Sequence, residues 1–125
     1  MNIKHLFGSA TLALALIACG SKGGGNADVE AFMKLDTDKG VAFAVGGADC
    51  DAKAKSVGDW RTKHTAEYKV LQKKLGDAWK GGPPKEVTDK YGEQMKKNKS
   101  AVMEAMLACS NNDAFGKMMD ATKTE

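Results

Sequence analysis

From Cys50 onward, apolar and aromatic residues recur at Ala54, Val57, Trp60, His64, Tyr68, Leu71, Leu75 and Ala78-Trp79. The steps are almost all three or four, the spacing of one stripe along an amphipathic helix. Lys53, Lys55, Asp59, Lys63, Glu67, Lys69, Lys73, Lys74 and Asp77 take the other faces. Asp49 is placed to cap this helix, and Asp51 adds negative charge to its first turn, where the helix dipole favours it. Gly81-Gly82-Pro83-Pro84 stops the pattern, and the prolines suit the opening of a new helix. A second stripe then runs through Val87, Tyr91, Met95, Asn98, Val102, Met106 and Cys109, widened by Gln94, Met103, Ala105 and Leu107. Two long helices, about 49–79 and 84–109, follow from these patterns, and the turn between them makes them antiparallel.

Shorter elements flank the hairpin. Asn26 or Asp28 can cap a helix carrying Val29, Phe32, Met33 and Leu35. Val41 to Val45 is short enough for a strand but has no partner strand, so it reads as a helical turn or second short helix ending at Gly46-Gly47. Between them, Asp36-Thr37-Asp38-Lys39-Gly40 has the look of the start of a calcium loop. Val41 stands where that loop needs glycine, and Gly47 where it needs glutamate, so an acidic cap and turn is expected. Ser110 to Asp113 fits the end of one helix and the start of another, whose residues Phe115, Met118 and Met119 would be buried. The fold class expected is all-α: a small helical bundle of three or four helices, with the N-terminal segment covering the open face of the hairpin.

The first 19 residues have a different character. Met1 to His5 carries one firm positive charge, at Lys4, and Leu6 to Ala18 is apolar except for Gly8, Ser9 and Thr11. As a helix this run reaches only about 20 Å, short of a bilayer core of roughly 30 Å, which favours an export signal over a spanning helix. It ends Leu16-Ile17-Ala18-Cys19, which resembles the lipobox of bacterial lipoproteins. That resemblance implies cleavage between Ala18 and Cys19, a lipid on the Cys19 sulfur and residence in the bacterial envelope. Gly20 at the following position implies, by the sorting pattern of enteric lipoproteins, the outer membrane rather than the inner one. Residues 19–27 are then the lipidated cysteine and a flexible Gly-rich tether, and residues 28–125 a single domain.

Removing 18 residues from 125 leaves 107, enough for one small domain. That part holds 18 Lys plus Arg (19 minus Lys4) against 16 Asp plus Glu, with the signs interspersed, which argues against a nucleic-acid partner. Lys96-Lys97-Asn98-Lys99 is the densest basic stretch and reads as a solvated face, or as one attracted to anionic head groups. With Cys19 assigned to lipid, two of the three cysteines remain, Cys50 and Cys109. Both lie on inward stripes at the open end of the hairpin, and a structural disulfide is expected, with free thiols or a redox couple as alternatives.

No catalytic constellation is legible. His64 is the only histidine after the signal segment, and no nucleophile signature accompanies it. It reads as a core histidine, bonded to Asn98 or Gln94 across the hairpin. A haem- or copper-binding alternative pairs His64 with Met95, which the hairpin register sets opposite each other, or uses the methionines at 103, 106, 118 and 119. The leading expectation is a non-enzymatic, lipid-anchored helical module without a cofactor, held to the membrane and binding an envelope protein.

Overall fold

The computed structural model describes residues 26–121. The signal segment, Cys19 and most of the tether lie outside the described residues. Four helices follow in order: α1 (Asn26–Ala44), α2 (Cys50–Ala78), α3 (Lys85–Ala108) and α4 (Asp113–Asp120). Asn26 and Ala27, expected in the tether, already belong to α1.

Side chains cap the N-termini of α2 and α4, whereas α3 opens at Pro84 without a side-chain cap. The Asp49 carboxylate accepts the Ala52 N–H at 3.0 Å, closing the first turn of α2. Asn112 does the same for α4, accepting from Phe115 at 2.8 Å, and its amide also donates to Asp51 at 3.0 Å, which pins α4 to the start of α2. Gly46 turns the chain between α1 and α2 at φ 84°, a conformation that favours glycine.

α1 differs from the sequence expectation. It is one continuous helix of 19 residues, running through the stretch expected to turn and absorbing Val41 to Ala44. Tertiary contact overrides the weak propensity of Asp-Thr-Asp-Lys-Gly. Gly40 is buried against Asn98, and Asp36 is bonded to residues of both α2 and α3. The end of α1 is capped from outside. Lys53, expected on a solvated face, is buried, and its ammonium donates to the carbonyls of Phe43 at 2.8 Å and Val45 at 3.2 Å. Phe43 lies in the last turn of α1 and Val45 just beyond it, where carbonyls run out of partners along the helix, and a cation at a helix C-terminus suits its dipole.

α1 packs against both α2 and α3, whereas α2 and α3 make little direct contact with each other. The hairpin is therefore held by α1, by its turn and by a disulfide at its open end. Cys50 and Cys109 are bridged, with Cα atoms 5.5 Å apart. The principal core joins Leu35, Ala42 and Phe43 of α1 to Val57, Trp60 and Leu71 of α2, Ala105 of α3 and Phe115 of α4. The Phe43 and Phe115 rings meet edge to face, 6.3 Å between centroids. A smaller cluster near the turn joins Val29 and Met33 to Leu75, with Trp79, Tyr91 and Met95 against it. Each fully buried Val57- or Leu75-sized side chain contributes about 1.5–3 kcal/mol by removal from water.

Candidate functional site

A chain of polar side chains crosses the interior where α1 meets its two neighbours. The Tyr68 hydroxyl of α2 donates to one oxygen of the Asp36 carboxylate at 3.0 Å. The Asn98 amide of α3 donates to the other at 2.8 Å, and its own carbonyl accepts from Gln94 at 2.7 Å. Lys39, one turn after Asp36, donates to the Tyr68 oxygen at 2.9 Å, lies 4.5 Å from the centre of that ring and 3.7 Å from the carboxylate. Burial lowers the Lys39 pKa against the opposing pull of Asp36. Burial also raises the Tyr68 pKa, reinforced by the negative Asp36 beside it. Asn98 is buried and the other members are half-buried, and a satisfied network of this kind fixes one register of α1 on both partners.

The expected bond of His64 to Asn98 or Gln94 is not formed, because α1 reaches Asn98 first and Gln94 bonds to Asn98 itself. The His64 ring lies against Trp60 instead, 5.8 Å between centroids. Met95 sits against the Val29–Met33–Leu75 cluster. It also borders a cavity of about 320 Å³ with Asp36, Lys39 and Val102. Among the described residues no group of three or more His, Cys, Asp or Glu side chains is placed to hold a metal ion. Of the residue pairs singled out in the sequence, the structure joins Cys50 and Cys109. Cys19 and the Ala18–Cys19 cleavage position lie outside the described residues.

Sequence reasoning missed the Asp36–Lys39–Tyr68–Asn98 cluster. The signal was present, because Val29, Phe32, Asp36, Lys39 and Phe43 recur in steps of three and four. The polar members of that series concealed its continuity.

Two surfaces carry apolar side chains that the core does not use. One is a groove between α1 and α3, about 440 Å³, lined by Val41, Ala44, Val45 and Ala101 together with the polar Thr37, Gln94, Lys97 and Asn98. Val41 and Val45 are 58% and 43% exposed there. The other is the outward face of α3. Met106, expected on the buried stripe, and Met103 and Leu107, expected to widen it, are 46%, 52% and 77% exposed. They point away because α3 buries only the narrow stripe that meets α1 and the disulfide, at Asn98, Ala105 and Cys109.

A comparison with protein families, curated proteins and solved structures finds no match to this chain. No helix among the described residues is long and apolar enough to cross a membrane.

Proposed function

We propose that the protein is a non-enzymatic binding module, held at the bacterial envelope by lipid on Cys19, whose α1–α3 groove receives an envelope protein. The observation that carries the reading is the groove itself, where two valines stay exposed beside Ala44 and Ala101. Concave apolar surface with a few polar groups in its lining is the usual form of a binding site. The anchor follows from the resemblance of Leu16-Ile17-Ala18-Cys19 to a lipobox. Gly20 after the cysteine favours the outer membrane by the same resemblance. Stable attachment needs two or more acyl chains, since a single chain gives only reversible binding.

Both halves of the reading are open to experiment. Cys19→Ala releases the chain from the membrane fraction if the anchor is right; continued retention would refute it. A photo-crosslinker placed at Val45 captures a discrete envelope protein, and Val41→Asp abolishes the capture. Failure to find any discrete adduct in intact cells would sink the binding role.

A further inference from the structure

Met103, Met106 and Leu107 do not stand alone on α3. At 3.6 residues per turn, Lys96 and Lys99 fall with them within roughly 100° of arc, on the side opposite Asn98, Ala105 and Cys109. Among the described residues, Lys96 pairs with the exposed Glu93 alone, at 3.4 Å. This face is a convex ridge of one helix, one half basic and the other apolar.

The position of α1 relates that ridge to the anchor. Asn26, where α1 begins, lies beside Glu86 and Val87 in the first turn of α3. Asp28 is paired with Lys74 at 2.7 Å, so the start of α1, the end of α2 and the start of α3 share one end of the bundle. The seven residues from Cys19 to Asn26 reach at most about 25 Å. Met103 and Leu107 lie about 26–32 Å further along α3 than Glu86. A bundle tethered at that end is free to lay any of its long sides on the bilayer, and the outward side of α3 is the one that carries this ridge.

We propose that the outward face of α3 is a second membrane contact, with Lys96 and Lys99 against anionic lipid head groups and Met103, Met106 and Leu107 inserted at the acyl boundary. It rests on the lipid-anchored reading above. Three observations favour a lipid surface over another occupant. A fluid surface conforms to a convex ridge, whereas a protein partner would need a matching groove. The combination of lysines with exposed apolar side chains is that of helices lying in the interfacial plane. A second copy pairing in parallel through this face would set Lys96 and Lys99 against themselves. Glu93 and Glu104 lie to one flank; Glu93 offsets Lys96 through their ion pair, and Lys99 leaves the face positive. The α1–α3 groove lies on a different side of α3 and stays open.

The test uses the full chain, as processed by the cell, reconstituted on phosphatidylglycerol–phosphatidylcholine vesicles and on phosphatidylcholine vesicles alone. Peroxide oxidation of each methionine is followed by peptide mass analysis. Met33, 3% exposed, reports that the fold is intact. Oxidation of Met103 and Met106 is expected to be at least about fivefold slower on the anionic vesicles, and Leu107→Glu to remove that protection. Equal rates on the two vesicles overturn the proposal. So does protection that arises without vesicles and grows with protein concentration, which would mark a second copy. The same digest reads Cys19. A lipid-free Cys19 overturns the anchor, and the rates of the untethered chain at saturating anionic vesicle then decide the face separately. An acylated Cys19 with equal rates overturns the face alone.

Discussion

Gly40→Ala is the sharpest probe of the register between α1 and α3. In an open helix interior the change from glycine to alanine stabilises by about 0.5–1 kcal/mol, through lost backbone freedom in the unfolded chain. At Gly40 the added methyl meets Asn98, with Oδ1 at 2.9 Å, Cα at 3.2 Å and Cγ at 3.3 Å. Asn98 is 4% exposed and held by Asp36 and Gln94, so its amide does not swing aside without breaking two hydrogen bonds. Its Cα belongs to a helix backbone. The collision therefore moves α1 as a body, at a cost of about 1–3 kcal/mol for an overpacked core. Net destabilisation of about 1 kcal/mol is expected. Gly92→Ala supplies the control: it sits inside α3, and its new methyl meets nothing closer than Thr88 Cγ2 at 3.5 Å, an ordinary contact. It should stabilise, leaving the two variants about 2 kcal/mol apart and their urea midpoints roughly 1 M apart. Urea unfolding of the oxidised proteins measures this directly. If Gly40→Ala stabilises as much as Gly92→Ala, α1 and α3 do not approach as described, and the continuous α1 loses its explanation.

Replacing both Cys50 and Cys109 by alanine opens a loop of 59 residues, for which the chain-entropy relation gives about 4 kcal/mol. Calorimetry should show a melting temperature lower by roughly 15–30 °C, and a drop of only a few degrees would mean that α1 alone keeps α2 and α3 together. Tyr68 has its folded pKa raised above its unfolded value, so the stability it brings is complete below the unfolded pKa of about 10 and is lost as pH rises above it. Lys39, lowered by burial, acts with the opposite sign as pH rises toward its unfolded value. Tyr68→Phe should flatten the alkaline loss of stability; an unchanged profile from pH 9 to about 12 would assign that loss elsewhere. Asn112→Ala removes the cap of α4 and the partner of Asp51, and a loss of about 1 kcal/mol is expected by urea unfolding, against no change if α4 is held by Phe115 alone.

The elements that were legible in the sequence share a physical cause. α2 and α3 are long, strongly periodic and bounded by a capping aspartate and a Gly-Gly-Pro-Pro turn, so local chemistry and tertiary packing agree. The disulfide was legible because both cysteines fall on inward stripes at the same end of a hairpin. α1 was not, because its middle turn consists of poor helix formers whose reason for being helical lies 62 residues away, at Asn98. The same remote contact hid the polar cluster and took from His64 its expected partners. Met103, Met106 and Leu107 show the opposite failure. Apolar spacing alone placed them inward, while the width of the face that α3 can bury is set by a neighbour that the local pattern does not reveal.

The covalent bridge has one consequence for proteolysis. The turn at Gly81 to Pro84 is exposed, at the far end of the hairpin from Cys50–Cys109. A protease that cuts there divides the backbone between α2 and α3 without dividing the molecule. The fragment with α1 and α2 stays linked through sulfur to the fragment with α3 and α4, and α1 keeps its contacts with both. Such a nicked protein migrates as one species until a reductant is added, and then as two.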